Sequence, residues 1–172
     1  MKITMFIVST ALFVFLATCG HAEVKENPWM KATKGSWAKH KNTTQTKVAG
    51  QAFNTENTTT TTLLDKDENG ATLSIKTQMG STKTENKMKV PATSDYSKMG
   101  MDVKIKEVGK ETITVAGKSY DCTVSETILN FGGKETITTT WTCDKVPSGT
   151  VKAVTKNDMM NSTIELVEYE VK

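Results

Sequence analysis

The stretch Cys122–Cys143, CTVSETILNFGGKETITTTWTC, decides how the rest of the chain is read. Two adjacent glycines, Gly132 and Gly133, accept the positive φ values of a two-residue hairpin turn, and the arms on either side are dense in Thr, Val and Ile. Pairing Phe131 with Lys134 and carrying that register back along the arms puts Val124 opposite Trp141, Ile128 opposite Ile137 and Cys122 opposite Cys143. The cysteines then form a non-hydrogen-bonded pair, whose Cα atoms stand about 4.5 Å apart, inside the span of a disulfide. A Cys122–Cys143 disulfide is therefore expected. Alternation places Cys122, Val124, Ile128, Ile137, Trp141 and Cys143 on one face, expected to be core. It places Thr123, Ser125, Thr127, Thr138, Thr140 and Thr142 on the other, expected to face water, with Leu129 and Phe131 as apolar exceptions.

Working outward, the same β signature continues on both sides. Upstream, Trp37–Thr46 and Ala52–Leu64 are Thr-rich, and a β-branched residue with a hydroxyl suits a solvated strand. Leu73, Ile75, Thr77 and Met79 alternate with polar residues; Thr82–Val90 follows and stops at Pro91; Val103 with Ile105 and Ile113 with Val115 alternate again. Asp65-Lys66-Asp67-Glu68-Asn69-Gly70 copies the start of a calcium loop, but Lys76 stands where its bidentate Glu belongs, so it reads as an acidic hairpin turn. Downstream, Val151 and Ala153 alternate, and the last strand changes phase between Leu166 and Val167, as at a β-bulge. The expected fold is all-β with a short N-terminal helix: an antiparallel meander of about nine or ten strands forming a strongly curved sheet or half-barrel. Trp37 and Trp141 are expected in its core. Asn27 as N-cap, Pro28 at the first helical position and Gly35 as the stop mark the helix, with Trp29 and Met30 docking it.

Residues 1–22 combine Lys2, an apolar run from Ile3 to Ala17 and small residues at Gly20 and Ala22, the pattern of a secretory signal peptide. Cleavage after Ala22 and lipidation of Cys19 at a lipobox-like Leu16-Ala17-Thr18-Cys19 are competing readings. Residues 23–36 form the helix and linker, and 37–172 a single β domain. No second apolar run of membrane length follows the leader. An oxidising compartment, periplasmic or secreted, suits the remaining cysteine pair; lipidated Cys19 would add a membrane anchor. The long connection Pro91–Met101 carries Tyr96, Met99 and Met101, which read either as a lid over a ligand cavity or as a plug in the core.

Residue inventory narrows the function. The chain has no Arg, and its 22 Lys are scattered among 19 acids, which excludes the basic forked contacts of nucleic-acid readers. Beyond the leader His40 is the single His, so no triad signature and no His/Cys metal cluster can be assembled, and no cofactor is expected. Glu126 falls on the apolar hairpin face opposite Thr139, where a buried carboxylate would be of interest. No enzyme is expected.

Asn27-Pro28-Trp29, Gly35-Ser36-Trp37, Gly117-Lys118-Ser119-Tyr120-Asp121-Cys122, Trp141 and Val146-Pro147-Ser148-Gly149-Thr150-Val151-Lys152 together resemble a group of uncharacterised secreted bacterial proteins. Cys143 and Ser148 depart from that group's pattern. The group is in turn similar, at the level of fold, to periplasmic lipoprotein carriers of the LolA/LolB type. The resemblance implies a curved half-barrel with an N-terminal helix and an apolar concave face, and carries no binding residue across. Two functions follow as expectations: an extracytoplasmic carrier or binding module for an apolar ligand such as lipid, or a structural or interaction module of the envelope without a ligand.

Overall fold

Among the described residues, Val48 and Gln51, Asp67 and Gly70, Met79 and Thr82, and Val115 and Lys118 are joined by two-residue turns whose backbone demands are visible residue by residue. The computed structural model describes residues 25–94, 102–131 and 134–172. The leader with Cys19, the segment with Tyr96, Met99 and Met101, and Gly132-Gly133 lie outside the described residues. Ala116 (φ 50°) and Gly117 (φ 75°) turn β7 into β8 with Val115 facing Lys118, the paired positive φ values of the turn that matches strand twist. Gly70 is required for a different reason. A Cβ there would lie 2.0 Å from the Val90 carbonyl oxygen.

The strands are β1 (Lys25–Glu26), β2 (Trp37–Val48), β3 (Gln51–Asp67), β4 (Gly70–Met79), β5 (Thr82–Pro91), β6 (Thr93–Ser94), β7 (Asp102–Val115), β8 (Lys118–Phe131), β9 (Lys134–Thr142), β10 (Thr150–Lys156) and β11 (Met160–Glu170). Nine of them form one antiparallel, unclosed, curved sheet in the order β5-β4-β3-β2-β11-β10-β9-β8-β7, and β1 pairs with β6. All neighbours in the large sheet but one are sequential hairpins. The exception, β2 with β11, closes two meanders into a single sheet by joining the first long strand to the last. The expected bulge appears between Leu166 and Glu168, and others lie at Leu63/Asp65, Glu107/Gly109 and Thr150/Lys152.

The expected helix is smaller than its signals suggest. Pro28–Met30 make a single 3-10 turn, with the Asn27 side chain accepting from the Trp29 N–H at 3.1 Å. Lys66 Nζ donates to the Met30 and Ala32 carbonyls at 2.7 and 2.8 Å, so these acceptors are satisfied without another helical turn, and a segment this short gains too little to nucleate one. Trp29 docks as expected and is 1% exposed. It packs in a cluster with Ala38, Leu63, Leu73, Val146, Val151 and Leu166.

The hairpin register is the expected one, with Val124 facing Trp141, Ile128 facing Ile137 and Phe131 facing Lys134. The face assignment holds only in part: Cys122, Val124 and Cys143 are buried as expected, but the other face is buried as well. Ser125, Thr127 and Thr140, expected in water, are 2–4% exposed, whereas Ile128, Ile137 and Trp141 are only half-buried. Trp37 is likewise half-buried, its indole donating to Glu170 Oε2 at 2.9 Å. The reason is cross-strand pairing. Through the register, Ser125 and Thr140 share a row with Ala153, Ile164 and Asn42, the face that also buries His40, Thr44 and Leu166. Hydroxyls there satisfy one another, Thr44 with Ser162 at 2.9 Å and Thr138 with Thr155 at 3.0 Å, and a satisfied hydroxyl buries at little cost. Leu129, the apparent exception, shares its parity with this buried face.

Candidate functional site

On the opposite face of the β7–β10 half lies a half-open groove of about 520 Å³. The edge strand supplies one side with Glu111, Ile113 and Val115. Ile137, Thr139 and Trp141 of β9 and Lys152, Val154 and Lys156 of β10 supply the other, and Glu126 of β8 also lines it. Alternation is what aims these side chains together. Lys152 faces Trp141, Val154 faces Thr139 and Lys156 faces Ile137, so period-two spacing on two paired strands delivers one continuous surface.

Trp141 is held from two sides. Its Nε1–H donates to Glu111 Oε2 at 2.7 Å, tying floor to wall, and the Lys152 ammonium stands 6.0 Å from the ring centroid while pairing with Glu165 at 2.9 Å. A half-exposed indole fixed in this way is a ready contact surface. The volume falls within the roughly 300–1,000 Å³ of small-molecule sites, which are lined mostly by apolar groups with a few placed polar ones. Glu126, singled out from the sequence, sits here half-buried opposite Thr139.

Other candidates have structural roles. His40 is 3% exposed, and its Nε2 reaches across β11 to the Thr150 carbonyl at 2.9 Å. Carbonyl oxygen only accepts, so Nε2 carries the proton, and burial holds the imidazole below its ordinary pKa. Asp67 organises the acidic turn as the sequence reading expects: Oδ1 accepts from the Asn69 and Gly70 N–H groups, and Oδ2 from Lys89 Nζ at 2.6 Å. The Lys89 bond, with those N–H bonds, keeps the carboxyl below its usual range. Among the described residues no three His, Cys, Asp or Glu side chains are grouped to hold a metal, and no helix is long and apolar enough to cross a membrane.

Cys122 and Cys143 are both buried, and both sulfurs are free thiols in the structure. Cys122 Sγ donates to the Tyr120 carbonyl at 3.6 Å. Burial, then the neighbouring Cys143, pushes the Cys122 thiol up to about 11, which makes it a poor nucleophile at neutral pH. A hollow of about 420 Å³ lies against the pair, lined also by Lys110, Glu111, Asp121 and Asp144.

Sequence reasoning singled out Glu126 but placed Trp141 in the core, and it missed the groove. Ile113, Val154, Lys152 and Lys156 read as ordinary strand residues, and the β10 register that aims the last three depends on the Thr150/Lys152 bulge.

No protein-family model matches this sequence, and no curated protein does. Among solved structures it is similar to one described as a lipoprotein from Parabacteroides distasonis, at 10% identity and a TM-score of 0.52, covering 90% of this chain and 100% of that one. It is also similar to an exported protein from Bacteroides fragilis (10% identity, TM-score 0.47, 81% of this chain and 97% of that one). A LolA superfamily protein from Nitrosomonas europaea aligns at 8% identity and a TM-score of 0.22, over 85% of this chain and 90% of that one. At such identities the first likeness speaks for the fold alone, and the other two carry no argument.

Proposed function

We propose that this chain is an extracytoplasmic, non-catalytic β-protein that binds an apolar ligand such as a lipid, and that its ligand lies in the groove around Trp141. The observation that carries the reading is the half-open groove itself, where Ile113, Ile137, Val154 and Trp141 are only half-buried among the described residues. On the opposite face, which in a lipid carrier of this shape would take the apolar cargo, buried Thr, Ser, Asn42 and His40 side chains are interleaved with Ala153, Ile164 and Leu166, a mixed surface for an alkyl chain.

The location reading rests on the leader at residues 1–22, removed or anchored through Cys19, with a single β domain over 37–172. A Cys122–Cys143 disulfide in the mature protein belongs to the same reading. The two are free thiols in the structure; the reading is supported by their place one step beyond the Thr123–Thr142 pair that ends the β8–β9 register and by the absence of any third cysteine beyond the leader.

Native mass spectrometry after gentle purification from a membrane-containing extract tests the proposal. A copurifying mass that disappears in a Val154→Glu variant supports it. A clean apo mass from cells with intact envelopes supports the second reading, an envelope interaction module without a ligand, which the hydroxyl-rich inner face favours.

A further inference from the structure

The groove is not electrically uniform along its length. At its lower part the charges are engaged: Glu111 accepts from Trp141, and Lys152 pairs with Glu165. At the other end the sheet register sets out two rows. Lys156, Ile137, Ile128 and Lys104 form one cross-strand row, and Val154, Thr139, Glu126 and Lys106 the next. This end of the groove therefore carries Lys156 on β10 and, three strands across at about 4.8 Å per strand, Lys104 and Lys106 on β7, with Glu126 of β8 directly opposite Lys106. None of Lys104, Lys106, Lys156 and Glu126 has an ion-pair partner among the described residues. Lys156 and Glu126 line the groove directly, and Lys104 and Lys106 are exposed on the strand beyond.

Along β9 the floor runs Ile137, Thr139 and Trp141, four residues or about 13 Å at roughly 3.3 Å per residue, apolar at both ends with Thr139 and Glu126 between them. A ligand that fits both features has one alkyl chain along Ile137, Val154, Trp141 and Ile113 and a negative head at the lysine end. A cationic head would meet the lysine ammonium groups, and the single apolar track along β9 and β10 is laid out for one chain. Taking the groove as the ligand site, we infer that its ligand class is a single-chain anionic amphiphile, with a carboxylate or phosphate head between Lys156 and Lys104.

The head and the chain can be tested separately with four twelve-carbon probes below their micellar concentrations: dodecanoate, dodecyl phosphate, dodecyltrimethylammonium and dodecyl maltoside. Calorimetric titration of the full mature chain should give both anions at least about tenfold tighter binding than the cation. Whichever anion binds more tightly identifies the head as carboxylate or phosphate. Lys104→Gln with Lys156→Gln should weaken both anions by roughly three- to tenfold and leave the maltoside unchanged. Both lysines are exposed, so the variant keeps its fold, which circular dichroism checks. Equal affinities for all four heads, or a double variant that binds the anions like the parent, would overturn the head-group assignment and leave the groove intact. Binding of none of the four probes, or binding that survives Val154→Glu, would overturn the groove itself.

Discussion

Replacing Trp29 and Trp141 one at a time by Ala reads out directly which of the two indoles carries the core. Trp29 is 1% exposed within the cluster of Leu63, Val146, Val151 and Leu166, so Trp29→Ala empties a large site that the surrounding sheet cannot close. The cost expected for such a cavity is about 3–5 kcal/mol, a large share of the roughly 5–15 kcal/mol that holds a domain folded. For a chain of this size it corresponds to a fall in Tm of roughly 6–20 °C. Trp141 is half-buried, with its indole N–H bonded to an exposed Glu111. Its loss removes partial burial and one exposed hydrogen bond, about 1–2 kcal/mol in all. Urea unfolding followed by far-ultraviolet circular dichroism at constant m-value compares the two. Equal losses, or a larger loss for Trp141→Ala, would refute the reasoning and restore Trp141 to the core.

Three further outcomes are expected. His40 is held below its ordinary pKa of 6.5 by burial, so protonation favours the unfolded chain. Its contribution is present above pH about 6.5 and is lost as pH falls through 6.5 toward the lower folded value; a pH-independent unfolding midpoint between pH 7 and 5 would contradict this, whereas the carboxylates Asp67 and Glu170 act only in a more acidic window. Non-reducing peptide mapping should recover Cys122 and Cys143 as one cross-linked species, and reduction should cost about 3 kcal/mol for a closed loop of some twenty residues; two free thiols in protein taken from the periplasm would remove the bond from the account. Gly70→Ala should destabilise by more than about 1 kcal/mol, because its Cβ would meet the Val90 carbonyl oxygen at 2.0 Å, and an unchanged midpoint would show that the β4–β5 contact yields easily.

Much of the fold was legible because pairing in this chain is mostly local. The Gly132-Gly133 turn sets one register, and every pair from Phe131–Lys134 to Thr123–Thr142 follows from it. The phase change at Leu166 likewise announces the bulge that the β2 pairing requires. What local pattern could not carry was which face turns inward. Composition ranks Ile137 and Trp141 above Thr140 and Ser125 for burial, yet the hydroxyl face is the one that gathers β2, β11, β10, β9 and β8 around Leu166 and His40, with most of its polar groups answered by neighbours. Two atoms there, Asn42 Oδ1 and Ser125 Oγ, have no hydrogen-bond partner among the described residues, a mark of how far the burial of that face is imposed by the sheet. The groove was illegible for a related reason. Its sides come from Glu111–Val115 and Lys152–Lys156, far apart in sequence, with register shifts at Glu107/Gly109 and Thr150/Lys152 that only the positive-φ Gly109 and Gly149 hint at.

The central claim is that ligand lies against Trp141 rather than on the inner face. The measurement that tests it most directly is a two-dimensional NMR titration of the labelled mature chain with dodecyl maltoside, whose neutral head leaves the charge assignment out of the question. The account predicts that the Trp141 indole N–H and the amides of Ile113, Ile137 and Val154 shift together and saturate, while those of Thr44, Ala153 and Ser162 stay in place. Shifts concentrated on Thr44, Ala153 and Ser162, with the Trp141 indole unmoved, would contradict it.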